Sequence, residues 1–236
     1  MAVRNGHTRL ASLLLQRGSE WNHRDSSDNT PLHYAAASGF IECIDLLIKH
    51  GADVHALNSW KVTPITIAML NNHIGTVKRL LQEPGIDVNG KDDKGRTLLS
   101  FAMMDLSDPS CIDFTKFLLE KGADVNMTDV EGNCPLVLLA PHLCPHNNDP
   151  YVEEARKTAL VLVDLLISHG ANINTEDKLG RTLLMSTMVN ISVPSCLETA
   201  KYLIEKGADP KIETKIYRDS AFYHLAAHFK NRNGYG

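Results

Sequence analysis

The feature that most constrains this chain is a phrase that returns along it at a near-constant interval. Two or three apolar residues and two spacers lead into Gly-Ala-Asp or Gly-Ala-Asn followed by Val or Ile. It reads Leu46-Leu47-Ile48-Lys49-His50-Gly51-Ala52-Asp53-Val54, and again Leu118-Leu119-Glu120-Lys121-Gly122-Ala123-Asp124-Val125-Asn126. Further copies run through Gly170-Ala171-Asn172-Ile173-Asn174 and Gly207-Ala208-Asp209, with looser ones at Gly18 and Gly85. The intervals between Gly18, Gly51, Gly85, Gly122, Gly170 and Gly207 are 33, 34, 37, 48 and 37 residues. A period of this size marks a chain of stacked supersecondary units, each of which buries its apolar face only against its neighbours.

A second phrase falls between the glycines. It is Thr30-Pro31-Leu32-His33-Tyr34-Ala35-Ala36, then Thr63-Pro64-Ile65-Thr66-Ile67-Ala68, with later versions at Thr97-Leu98-Leu99, Cys134-Pro135-Leu136, Thr182-Leu183-Leu184 and Ser220-Ala221-Phe222. Thr before Pro is a helix start, because the hydroxyl caps and the proline suits the first helical position. Glycine after an apolar helix face is a helix stop, since it accepts positive φ. Each unit is therefore a short helix, a turn, a second helix and a stop, followed by a turn-rich link such as 53–62.

Composition narrows the function classes. The 236 residues are 43% hydrophobic and 22% charged, which is ordinary for a chain that buries a core. Lys and Arg number 24 against 28 Asp and Glu, a formal charge of −4, which argues against a nucleic-acid partner. There is no apolar run of the roughly 20 residues that a bilayer span needs, and no secretory apolar stretch at 1–6. Five cysteines without framework spacing read as reduced thiols inside a cell. Cys43, Cys111 and Cys196 lie in apolar helical contexts and are expected to be buried. GxGxxG, P-loop, HExxH and GxSxG patterns are all missing, so neither catalysis nor a cofactor is expected.

These phrases resemble the ankyrin repeat, whose fingerprint is a unit of about 33 residues containing Thr-Pro-Leu-His-x-Ala. Thr30–Ala35 matches it letter for letter. Departures are Lys61 where other units have Gly95, Gly132 and Gly180, Leu98 and Leu183 in place of proline, and a histidine kept only at His33. The resemblance implies an all-α helix-turn-helix solenoid of about six helix pairs with short β-hairpin fingers. It implies a single array over 1–236, with units near 1–24, 25–57, 58–91, 92–128, 129–176, 177–214 and 215–236. About five are complete and the end ones partial, as in a piece of a longer protein. The implied function is protein–protein recognition by a monomeric, intracellular array, cytoplasmic or nuclear, without membrane insertion. The alternative is a regulatory or targeting segment of a larger enzyme or channel. His33 is implied to be structural.

The resemblance also gives candidate binding residues on the concave surface, formed by finger tips and first helices. The tips are Ser26, Ser27 and Asn29; Ser59, Trp60 and Val62; Asp93, Lys94 and Arg96; Val130, Glu131 and Asn133; Lys178, Leu179 and Arg181. The first-helix positions are Ala37 and Ser38; Leu70 and Asn71; Met104 and Asp105; Val189 and Asn190. Trp60 is the expected anchor, because tryptophan dominates binding energy wherever it is exposed at an interface.

Two irregularities remain. Asp92–Asp124 and Asp177–Asp209 match at a constant offset of 85, including Pro109-Ser110-Cys111 and Pro194-Ser195-Cys196, which reads as a duplicated block. Each proline is expected to end or bend the segment after a first helix. The 48-residue unit carries Pro141-His142-Leu143-Cys144-Pro145-His146 before a long helix from Pro150 through Ser168, whose run 159–163 is expected to pack deeply. An ordinary surface loop is expected at 141–150. A metal site from Cys134, His142, Cys144 and His146 is the weaker alternative, since no second ligand pair has finger-like spacing.

Overall fold

The computed structural model describes residues 2–106, 108, 110–144, 150–188, 193–215 and 220–221. They form two compact units, Met1–Leu98 and Leu99–Gly236. Twelve helices form among the described residues, and no strand does; the one β-type contact is an isolated bridge between Glu213 and Ser220. No described helix is long and apolar enough to cross a membrane.

The first unit contains α1 (Thr8–Gln16), α2 (Pro31–Ser38), α3 (Ile41–Lys49), α4 (Pro64–Leu70) and α5 (Ile74–Leu80). Helix α2 packs on α3 and α4, α4 on α5, and α3 on α1. The period of 33 is visible in the core: Ala11, Ile44 and Val77 occupy one repeat position and are all buried. Proline starts both α2 and α4, as the Thr-Pro phrase predicts. Gly6, Gly39 and Asn72 share the left-handed position between a first and a second helix, with φ of 69°, 73° and 57°. At Gly39 the need is also steric, since an added Cβ would stand 2.7 Å from the His73 ring. That ring hydrogen-bonds the Ala37 carbonyl at 3.0 Å, so the glycine lets the next unit close over the helix end.

The second unit contains all but the first residue of α6 (Leu98–Ala102), then α7 (Ser110–Glu120), α8 (Pro135–Leu138), α9 (Ala140–Leu143), α10 (Pro150–Ser168), α11 (Leu183–Met188) and α12 (Pro194–Glu205). The long helix spans the predicted residues. Of its apolar run, Ala159, Leu162 and Val163 are buried but Val161 is exposed, so packing follows one face and not the whole run. The expected surface loop at 141–150 is corrected over its first residues: 140–143 form a helical turn, and Leu143 and Cys144 are buried, while 145–149 lie outside the described residues. Their apolar side chains are drawn into the core, where the Cys144 thiol reaches the Thr187 carbonyl at 3.4 Å.

Of the two prolines of the duplicated block, Pro194 ends the segment after its first helix by starting the next one. Pro194 opens α12, because its fixed φ and missing N–H suit a first helical position. Helix α7 begins one position after the matching proline, at Ser110. Cys111 and Cys196 are buried at matching places on these second helices, and Cys43 is buried on α3 at a different place in its repeat. Burial pushes the Cys111 thiol up to about 11. Because Ser107, Pro109, Ile191 and Ser192 lie outside the described residues, so does the expected match of the two loops.

Candidate functional site

The fingers are tight turns with one shared construction. In each, the first residue is Asp or Asn and the fourth has positive φ: Asp28, Lys61, Gly95, Gly132 and Gly180. The first backbone N–H donates to the fifth carbonyl in Asp25/Asn29, Asn58/Val62, Asp92/Arg96, Asp129/Asn133 and Asp177/Arg181. The first side chain accepts from the third and fifth backbone N–H groups, at 3.0 Å and 3.0 Å where Asn58 receives Trp60 and Val62. This is an Asx turn widened to five residues, so each tip is held by its own side chain.

That construction gives three of the predicted binding residues a partner within their own finger. Arg96 places its guanidinium on Asp92 at 2.8 Å, Asn133 donates to Asp129 at 3.1 Å, and Arg181 donates to Asp177 at 2.7 Å. The fifth finger position thus closes the finger from within. Among the remaining candidates, Ser59, Lys94, Glu131 and Lys178 are exposed at tips, and Lys178 stands 3.6 Å from Glu131. Leu70, Asn71, Met104 and Asp105 are exposed on or just after first helices. Val189 and Asn190 lie outside the described residues.

Trp60 is 61% exposed. Its finger is fastened to the preceding one by Ser59 N–H to the Ser27 carbonyl at 3.0 Å, the Ser59 hydroxyl to Asp28 at 3.1 Å, and Asn58 to Asn29 at 3.0 Å. His33 fastens it from behind. The Thr30 N–H donates to His33 Nδ1 at 3.1 Å, so the ring proton sits on Nε2 and is donated to the Val62 carbonyl at 3.0 Å. Burial holds the His33 pKa below its usual value, which keeps the ring in this neutral, bridging form. The indole is therefore an apolar group on a preorganised support.

Beside it lies a cavity of about 410 Å³ whose wall includes Tyr34, Ala37, Trp60, Val62, Ile67 and Leu70. Sequence reasoning placed Trp60, Val62, Leu70 and Ala37 on this surface but missed Tyr34 and Ile67. A signal existed: both occupy the variable fifth place of the Thr-Pro phrase, 33 residues apart. The Tyr34 hydroxyl donates to Asp25, and chiefly for that reason the Asp25 carboxyl is held at about 2.

The residues of the alternative metal site do not converge. Cys134 stands before the first turn of α8 with its thiol buried, Cys144 turns toward Thr187, and His142 lies against the Met103 and Met104 backbone. Burial raises the thiol pKa of both cysteines. His146 lies outside the described residues, and no group of three metal-capable side chains forms among the described ones.

A family model described as ankyrin repeats in three copies matches residues 1–92 and, in a second register, 50–129. The chain belongs to the ankyrin repeat family. The crystal structure of the ankyrin repeat domain of Bcl-3, described as a unique member of the IkappaB protein family, superposes with a TM-score of 0.71 and 26% identity, over 94% of this chain and 91% of that one. The B-cell lymphoma 3 protein homolog of Mus musculus is 26% identical over 85% of this chain and 41% of its own length. Ankyrin repeat and SOCS box protein 6 of Homo sapiens is 31% identical over 71% of this chain and 41% of its own. The poly [ADP-ribose] polymerase tankyrase of Caenorhabditis elegans is 36% identical over 49% of this chain but 5% of its own. The chain thus spans less than half the length of these curated relatives. The expected all-α ankyrin solenoid class is borne out, and the chain is a protein-interaction array.

Proposed function

We propose that this ankyrin array binds a protein or peptide through the groove that Trp60 overhangs, acting as a non-catalytic, intracellular recognition module. The observation that carries this reading is the exposed indole on a finger fixed by its own turn, its neighbour and His33. A rigid aromatic anchor loses little freedom on binding, so most of its contact energy is retained. Leu70 and Ile67 continue the apolar wall, and Ser59 and Asn71 offer polar groups at its edge. Met104, Asp105, Lys94, Glu131 and Lys178 supply further exposed positions of the same repeat register.

The test is an affinity pull-down with the chain as bait, followed by titration of the recovered partner against Trp60→Ala. Binding should weaken by roughly 2 kcal/mol. Stability should fall by only about 0.5 kcal/mol, as for a surface site. A variant that melts several degrees early and keeps full affinity would overturn the assignment.

A second reading has support of its own. Relatives include the tankyrase polymerase and, at 32% identity, a transient receptor potential cation channel subfamily A member 1 homolog of Caenorhabditis elegans, of which the chain covers 5% and 9%. On that reading the array regulates or targets a larger protein. The same groove would then take a segment of that protein instead of a separate one.

A further inference from the structure

The five cysteines are all buried, and two of them meet. Cys144 follows the last residue of α9, and Cys196 lies in the first turn of α12, in the following repeat. The Thr199 hydroxyl stands 3.2 Å from the Leu143 carbonyl, which seats the end of α9 on α12. Cys196 precedes Thr199 by three residues, so it faces the same way from one helical turn earlier. There its sulfur comes within hydrogen-bonding reach of the Cys144 thiol, which also points at the Thr187 carbonyl at 3.4 Å. The two side chains are 5% and 0% exposed. The other thiols have different neighbours. Burial acts first on Cys111 and Cys134, followed by the Asp108 carboxylate at one and backbone N–H groups at the other. Cys43 lies 3.3 Å from the Thr8 hydroxyl.

We propose that Cys144 and Cys196 are a redox pair that closes to a disulfide under hydrogen peroxide and locks the end of α9 onto α12. The Cys196 thiolate attacks one peroxide oxygen. An S–O bond forms, the O–O bond breaks, and the released hydroxide takes up the proton that Cys196 lost and leaves as water. Cys196 is then a sulfenic acid. The Cys144 sulfur attacks that sulfur, the S–O bond breaks, and the Cys144 proton leaves with the departing hydroxyl as a second water. Two thiols and one hydrogen peroxide thus give one disulfide and two waters. Cys144 reacts second because burial, and then the Cys196 sulfur beside it, hold it as the thiol. Burial also slows the first attack, so the pair answers to sustained oxidant and not to a brief pulse. The bond joins positions 52 apart and restrains the unfolded chain more than the folded one. The contact between α9 and α12 is then reversible in one redox state and fixed in the other. The inference shares no residue with the Trp60 groove and does not depend on it.

The experiment treats the reduced full chain with hydrogen peroxide, alkylates the remaining thiols in denaturant and reads the digest by mass spectrometry. A peptide pair joined through Cys144 and Cys196 is expected, lighter by two hydrogens and separated by dithiothreitol, with Cys43, Cys111 and Cys134 alkylated. The oxidised chain should melt higher by on the order of 5 °C, and dithiothreitol should return it to the starting value. Cys196→Ser should show neither the joined peptides nor the rise, whereas Cys111→Ser should behave like the wild type. Should Cys196→Ser misfold, Cys144→Ala tests the order of attack, since its Cys196 sulfenic acid has no second thiol to meet and should be trapped by dimedone. Bonds between other cysteines, bonds between chains alone, an unchanged melting temperature in the bonded chain, or dimedone capture elsewhere than Cys196 would overturn the proposal. So would intact thiols at both positions under peroxide that oxidises the unfolded chain.

Discussion

The unit that starts at Thr30 and the unit that starts at Cys134 are built on the same phrase and end differently. In the first, Thr30 and His33 form a capping box, and α2 runs for 8 residues to a left-handed glycine. In the second, Cys134 makes no side-chain cap, and the corresponding helix breaks into α8 and α9 of 4 residues each. Its partner α10 then runs for 19 residues. The consensus unit uses its polar atoms to fix the next finger, through His33 and the Val62 carbonyl. The divergent unit has Val137 where His33 would stand, and its α10 lines a cavity of about 510 Å³ instead. Loss of the fingerprint thus removes one kind of order and adds a surface that the regular units lack.

Four measurements sharpen or break this contrast, from the largest effect to the smallest. Leu162→Ala should cost about 3 kcal/mol in urea unfolding, whereas Val161→Ala next to it should cost under about 0.5 kcal/mol. Similar losses at the two sites would mean that α10 is not packed by one face. His33→Ala should cost about 2 kcal/mol, since it leaves the buried Thr30 N–H without its acceptor and removes one of the two donors to the Val62 carbonyl. It should also quicken amide exchange at Lys61 and Val62, and a loss without faster exchange there would refute its role as the finger's fastener.

Installing the missing cap should have the opposite sign. Cys134→Ser should stabilise by about 0.5 kcal/mol, because a hydroxyl caps better than a thiol. A loss of stability would show that thiol packing outweighs capping there. Lys61→Gly should gain a few tenths of a kcal/mol, as relief of the φ of 56° is partly offset by the larger freedom of glycine in the unfolded chain. A destabilised variant would show that the lysine side chain braces the Trp60 finger.

Acid probes one buried ring in each unit. The folded pKa of His33 lies below the usual histidine value of about 6.5, so the unfolded chain binds the extra proton first. Stability from this residue is full above about 6.5 and is lost as pH falls from there toward the folded value. His33→Gln should flatten the stability profile below pH 6.5, read by chemical denaturation at a series of pH values. His142 is shifted in the same direction by burial, so His142→Gln should flatten it as well. A profile unchanged in both variants would mean that neither ring is buried as a neutral group.

The sequence by itself determined the features that depend on neighbours along the chain. Thr30, Pro31 and Gly39 start and stop α2 through contacts within one helical turn, and Gly170, with φ of 88°, follows the end of α10 in the same left-handed conformation. Their physical basis is local: caps, fixed φ and left-handed glycine act over three or four residues. Finger closure is equally local, from Asp92 to Arg96 and Asp177 to Arg181, and the resemblance, which gives position and not partners, did not show these pairs. Only the tertiary structure decided which apolar residues meet across units. Tyr34 and Ile67 join Trp60 around one cavity, and Leu143 and Cys144 leave the expected loop for the core. Burial is a property of what packs on the other side, and that side comes from a different repeat.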